Sequence, residues 1–315
     1  MSYKDHDRIY HIKRSILKIF ISLIRSLFLI GICFVVLYPL LSKFFVSFMN
    51  ISDIFNSNIR YLSDAPSLNN YKAAFQILEF PNSFIKSLFM AIVVSIFQVI
   101  GAVLVGYGLS RFNFKGRNLL FTFLVLSMII PPDLLLVPRY FQFRFFDIFG
   151  IFNLTTGNPI SLIDTTIPYI LFGVTCTGLK NGLYVFMMRQ YFLGLPASLE
   201  EAANVDGAGP IKTFINVVLP GTVPMIVTVF LFSFVWQWND SIVTPVFSAQ
   251  SQLLSNIMPK LPGSASSALG LQSFIFASSL VTNAGIIISI IPVLLVYVFF
   301  QRFFVQSIER SGLVG

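Results

Sequence analysis

Charged residues are scarce in this chain. Asp, Glu, Lys and Arg make up 11% of its 315 residues, against about a quarter in ordinary globular domains. With 56% hydrophobic residues, the composition excludes a soluble globular protein and fits one whose surface faces lipid. Histidine is scarcer still: His6 and His11 are the two present, both near the N-terminus. Ser-His-Asp chemistry would need a histidine among the hydrophobic blocks, and none lies there. No H-E-x-x-H or paired-cysteine pattern occurs, so no metal site is expected. A G-x-x-x-x-G-K-[ST] phosphate loop is also missing, so the chain is not expected to bind or hydrolyse ATP by itself. No catalytic residue and no cofactor are assigned. Cys33 and Cys176, the two cysteines, lie in apolar stretches and suit packed free thiols better than a disulfide.

What the chain has in quantity is hydrophobic length. Six blocks are long enough to cross a bilayer, which takes roughly 20 apolar residues. They lie near 26–49, 85–109, 118–137, 166–188, 218–239 and 284–304. An even number puts both ends on one side. The short loop Arg111–Arg117 is strongly basic and so belongs inside, and the net charge of +8 follows membrane side rather than one domain. That choice also brings inside the N-terminal tail, the 189–217 loop, Arg302 and Arg310. Outside then lie 50–84, 138–165 and 240–283, rich in Ser, Asn, Pro and Gly, as solvated connections or contacts for a soluble partner. Residues 1–25 carry Lys4, Arg8, Lys13, Arg14, Lys18 and Arg25, with Ile9, Ile12, Ile16, Ile19 and Leu23 on one helical stripe. This pattern predicts a basic amphipathic elbow on the membrane surface. The expected division is elbow 1–25, first transmembrane helix and outer loop 26–84, and a core transmembrane domain 85–310.

The longest polar stretch between two hydrophobic blocks runs from Pro196 to Pro224. It predicts a short helix, a turn and a second helix. Ser198 and Glu201 have the spacing of a capping box. Asp206-Gly207 is a turn pair in which Gly207 can take a positive φ. Ile211, Phe214 and Ile215 recur at helical spacing, and Leu219-Pro220 closes the segment.

The series Glu201-Ala202-Ala203, Asp206-Gly207-Ala208, Phe214 and Leu219-Pro220 resembles the EAA loop of ABC importer permeases. Ser87-Leu88-Phe89, Tyr107 to Phe114, Pro131-Pro132, Arg189-Gln190, Trp238-Asn239-Asp240 and Gln301 to Val305 resemble the carbohydrate-uptake, MalG-like branch of that family. The likeness covers roughly residues 70 to 310. It implies an all-α membrane protein of six transmembrane helices with the type I importer permease fold and both termini cytoplasmic. It further implies a multi-pass protein of a prokaryotic cytoplasmic membrane that imports a sugar or oligosaccharide. The implied partners are a second, non-identical permease, ABC ATPase subunits and an extracytoplasmic solute-binding protein; nucleic acid is not among them. Glu200, Glu201, Ala202, Ala203, Asp206, Gly207, Lys212 and Phe214, in the loop 196–220, would dock the ATPase. Two departures from the family are visible: a long outer segment between Phe143 and Thr166, and Lys180 inside a span. An ion-coupled secondary transporter and an ABC permease for a non-sugar solute are the competing readings.

Lys180 and Asn181 fall about 15 Å from the cytoplasmic end of the fourth span, near the bilayer midplane. An ammonium there costs about 2.5–3.5 kcal/mol, so it must meet a partner or water. Either it faces a translocation pathway for a polar, even anionic, solute, or it pairs with Asp133, Asp240 or a carbonyl at a helix break. Trp238, Asn239 and Asp240 close the fifth span, where rings and amides suit a sugar but aromatic residues are also ordinary. Lys180, Asn181, Trp238, Asn239 and Asp240 are the candidate pathway residues. Pro131-Pro132 should break the third span near its outer end.

Overall fold

In the computed structural model the backbone is described for residues 3–54, 56, 62–178, 180–268 and 275–312. Side chains are described for 16–54, 56, 62–131, 134–155, 157–178, 180–265 and 278–306. The basic residues before Ser15, Asp133 and Arg310 therefore lie outside the described side chains. The described chain is helical throughout, with one isolated antiparallel bridge between Phe146 and Ile160.

Two units are distinguished, Met1–Ala74 with Pro262–Ile287, and Phe75–Leu261 with Ile288–Gly315. In the first, α1 (Tyr3–Val46) is one continuous helix of 44 residues. The expected bend between a surface elbow and the first span is absent, because nothing between Lys13 and Ile30 is a helix breaker. Its apolar side chains from Ile16 to Val36 are exposed, a surface made for lipid or for another protein rather than for a core. Past its end, Asn70 donates to the Ser47 and Met49 carbonyls and closes the chain back on the helix.

The second unit is built on α2 (Asn82–Arg111), against which α5 (Ile167–Val174), α6 (Asn181–Gly194) and α9 (Val223–Trp238) pack. Without a hydrophobic driving force between helices in lipid, association depends on close backbone approach through small residues. Gly101 of α2 faces Gly173 of α5 so closely that a Cβ on Gly101 would run into the Gly173 carbonyl oxygen. At Gly106 a Cβ would stand 2.8 Å from that of Met188 on α6. Tyr184, Val185, Met188 and Phe192 of α6 and Val229 of α9 are fully buried in the resulting core.

Three helices are long and apolar enough to cross a membrane among the described residues: Ile16–Val46, Asn82–Arg111 and Ser278–Gln306. A fourth crossing follows if Pro210–Gly221 and Val223–Trp238, bent by 74°, form one span. The other two expected spans are each split rather than continuous. The third ends its first half, α3 (Arg117–Ile129), before Pro131, which sits at φ −59° and ψ 128°, and resumes as α4 (Pro132–Arg144). The fourth is interrupted between α5 and α6, where Cys176 takes φ +55°. On the side expected outside, α10 (Val243–Phe247) joins Tyr169, Phe172 and Phe143 in a second apolar cluster, so these connections are packed rather than merely solvated.

Substituting Gly101 by Val should therefore destabilise the α2–α5 contact, on the order of 1–3 kcal/mol of overpacking or more. Thermal unfolding in mild detergent should show a clear loss for Gly101→Val and none for Gly31→Ala, whose site is open. Equal melting of the two variants would contradict the close-approach reading.

Candidate functional site

Pro196–Thr222 forms the expected helix-turn-helix. The first helix, α7, is Ser198–Val205. Ser198 lies inside its first turn rather than at the cap: Ala197 occupies that position, its carbonyl accepts from the Glu201 N–H, and no side chain caps the helix. The capping box is thus not formed, and Glu200 and Glu201 instead place negative charge at the positive end of the helix dipole. Gly207 has φ +79°, as its position after Asp206 predicts. The Ala208 N–H reaches the Ala203 carbonyl and the Gly207 N–H the Asn204 carbonyl, the bond pair of a Schellman stop. The chain continues as α8 (Pro210–Thr213) and a π-helical stretch Phe214–Val218. It then bends at Thr222, whose hydroxyl bonds the Leu219 carbonyl, into α9.

The expected loop residues divide between two faces. Glu200, Ala203 and Phe214 point inward. The Glu200 carboxylate pairs with Arg111 Nε at 2.7 Å, and both side chains are less than one-fifth exposed. Arg111, the last residue of α2, also donates to the Leu195 carbonyl just before the loop. Tyr107, one turn earlier, lies beside the same carboxylate and against the Phe214 ring, 4.5 Å between centroids. Glu201, Ala202, Asp206, Gly207 and Lys212 face outward, together with Leu199, Val205, Ile211 and Ile215. Val205 is 88% exposed and Ile211 75%. An apolar strip with a charged rim, fixed from behind by an ion pair and a tilted ring contact, is the composition of a docking surface.

The second feature is a cavity of about 170 Å³, walled by α2, α4, α5, α6, α9 and the start of α10. Lys180 stands on its wall at the break before α6, its Nζ 4.2 Å from the centroid of the Trp236 ring. Arg139 of α4 reaches the same cavity with its guanidinium over Phe172 at 5.1 Å. Among the described residues neither forms an ion pair; Arg111–Glu200 is the salt bridge found there. A cation on a ring gains up to about 2 kcal/mol, whereas removing an ion from water costs several kcal/mol. The rings therefore orient the two charges while leaving most of their field uncompensated. Neutral polar groups complete the wall. Ser233 donates to Gln98 Oε1, Tyr184 lies beside Ser233, and Asn239 binds the Val235 carbonyl.

The other expected pathway residues are bonded within the fold. Asp240 borders the cavity, but its Oδ1 accepts from the Ile242 and Val243 N–H groups and its Oδ2 from the N–H and hydroxyl of Thr244. It holds the N-terminus of α10, so the Lys180–Asp240 pair does not form. Asn181 is fully buried and off the cavity wall; it donates to the Gly173 carbonyl and ties α6 to α5. Trp238 is buried as well, stacked on Phe234 with its Nε1 donating to the Ser289 carbonyl. Gln98 and Arg139 carried no reading from the sequence, whereas Trp236 stands in the aromatic series that closes the fifth hydrophobic block. Arg139 had a detectable signal, a cation between two apolar stretches, but was absorbed into an outer loop.

Removing the Arg111 guanidinium should leave a partly buried carboxylate and the Leu195 carbonyl unpaired, at a cost of about 1–3 kcal/mol. Hydrogen exchange should then be faster across 196–209 in Arg111→Gln, while the core of α6 stays protected. Unchanged protection in the loop would show that the pair does not fix it.

A family model described as "Binding-protein-dependent transport system inner membrane component" matches residues 98–310. A probable ABC transporter permease protein of Pyrococcus horikoshii is 30% identical over 253 residues, 79% of this chain and 80% of that protein. An arabinooligosaccharides transport system permease protein of Halalkalibacterium halodurans is 26% identical over 290 residues, 90% and 93% of the two chains. In fold, the chain is similar to a solved bacterial ABC transporter involved in the import of the acidic polysaccharide alginate. The TM-score is 0.65, with 22% identity and coverage of 96% of this chain and 99% of that one.

Proposed function

The chain belongs to the family of binding-protein-dependent transport system inner membrane components, and from that premise we propose that it is the permease subunit of an ATP-driven importer of a sugar or oligosaccharide. It is a multi-pass protein of the cytoplasmic membrane. The carbohydrate class follows the relatives, among them permeases named for arabinooligosaccharides, diacetylchitobiose and maltodextrin. A second, non-identical permease would complete the pathway. An ABC ATPase would hydrolyse ATP on its own subunit, and an external binding protein would deliver the solute. Six crossings with both termini in the cytoplasm remain our topology, with the two split helices counted as interrupted spans.

The observation that carries the reading is the division of the 196–221 loop into an anchored and a free face. Leu199, Val205, Ile211 and Ile215 would sit in a groove of the ATPase, with Glu201, Asp206 and Lys212 at the rim and Gly207 shaping the turn. Glu200, Ala203 and Phe214 would hold that surface in place. Closure of the ATPase dimer would push this elbow, and the bend at Thr222 would pass the displacement to α9, whose far half carries Ser233 and Trp236 on the cavity wall. The transition is a rigid-body switch between inward- and outward-open states. An ion-coupled secondary transporter would need no such exposed loop.

Isolation from the native membrane in mild detergent tests this directly. Val205→Glu or Ile211→Glu should lower ATPase recovery by about tenfold or more, as expected when charge replaces a packed apolar anchor. The partner permease should be retained. ATPase recovery equal to the unaltered chain in both variants would remove the docking assignment.

A further inference from the structure

The cavity carries more positive charge than a neutral sugar calls for. Arg139 and Lys180 come from different helices, 41 positions apart in the chain by their numbers, yet both line one cavity. Each lies over an aromatic face, Phe172 and Trp236, and neither is in an ion pair among the described residues. Asp240, the acid on the same wall, already accepts from three backbone N–H groups and a hydroxyl. Lys180 also occupies the N-cap position of α6, a helix of 14 residues. A helix N-terminus disfavours a cation and favours an anion. A lysine kept for structure would be better placed at the other end. Helix terminus, ammonium and guanidinium together give the wall an anion-attracting field, opposed among the described residues by the carboxylate of Asp240, which is itself turned to the start of α10.

We propose that the cavity is an anion-recognising site and that the solute carried through it is an anionic saccharide. Its acidic group, a uronate carboxylate or a sugar phosphate, bridges Arg139 and Lys180. The planar guanidinium can grip either group through two parallel bonds, and the ammonium supplies a point charge. Trp236, 52% exposed, offers its outer face to the apolar side of the sugar ring, while Gln98, Ser233 and Asn239 can meet hydroxyls. The proposal rests on the importer reading and narrows its substrate.

The purified complex, with its partner permease, ATPase and binding protein, would be reconstituted in vesicles. ATP-driven uptake would then be followed for oligogalacturonate, a sugar phosphate and a neutral galacto-oligosaccharide. Uptake of one of the two acidic solutes in preference to the neutral one is expected, and which one identifies the group. Arg139→Gln and Lys180→Gln should each slow uptake of that solute at low concentration by about tenfold, mainly through KM, as loss of a charge-assisted bond implies. Arg139→Lys and Lys180→Arg should recover much of it, which separates charge from folding. Preferred uptake of the neutral oligosaccharide, or unchanged acidic uptake in both Gln variants, would overturn the proposal while leaving the importer intact. ATP-independent uptake, or a complex lacking any ATPase, would instead overturn the importer reading itself.

Discussion

The Arg111–Glu200 ion pair is the constraint on which the functional arrangement depends. It fastens the end of α2, the helix at the centre of the larger unit, to the first turn of α7. Arg111 also donates from Nη2 to the Leu195 carbonyl, so one side chain holds both the entry to the loop and the start of α7. Tyr107 and Phe214 complete the anchorage on the second half of the loop. A docking surface can transmit force only if it does not yield locally. Here the inward residues are held by these contacts and the outward ones stay exposed.

From that anchor, packed helices lead to the cavity. α2 packs on α5 and α6 through positions where glycine alone allows the approach, and on α9 as well; α2, α6 and α9 carry Gln98, Tyr184, Ser233 and Trp236 on the cavity wall. Two breaks, between α3 and α4 and between α5 and α6, interrupt the helices here, and the second lies on the cavity wall, where irregular backbone is tolerated in a membrane. They also set the chemistry: the interruption before α6 brings Lys180 to the wall, and the restart after Pro131 begins the helix that carries Arg139. Breaking a helix thus supplies both the irregular backbone and the charge.

The loop was legible in the sequence because its signals are local. Asp206-Gly207, the spacing of Ile211 and Ile215, and the Glu201-Ala202-Ala203 series each act within a few residues. Ser198 was misplaced by one position, since the turn begins at Pro196 and nothing local marks the difference. The cavity was legible only through Lys180, an ionisable residue where few belong. Its companions Arg139 and Gln98 are distant in the chain, and no spacing rule joins them. Asp240, Asn181 and Trp238 carry the right chemistry for a pathway, but hydrogen bonding to backbone claims all three, and such tertiary claims leave no trace in composition. The unbroken α1 differs from the expected elbow because a charge pattern marks where a helix meets water, not where it bends.

The central claim is that the loop and the cavity-lining end of α9 move as one body when the ATPase closes. Spin labels at Ser198 and Asn239, in the assembled complex with and without bound ATP, test it through the distance between them. The account predicts the same distance in both states, while distances from Ser198 to the partner permease change. A Ser198–Asn239 distance that shifts with ATP while those to the partner permease stay fixed would mean that the loop flexes on its own, and would contradict the account.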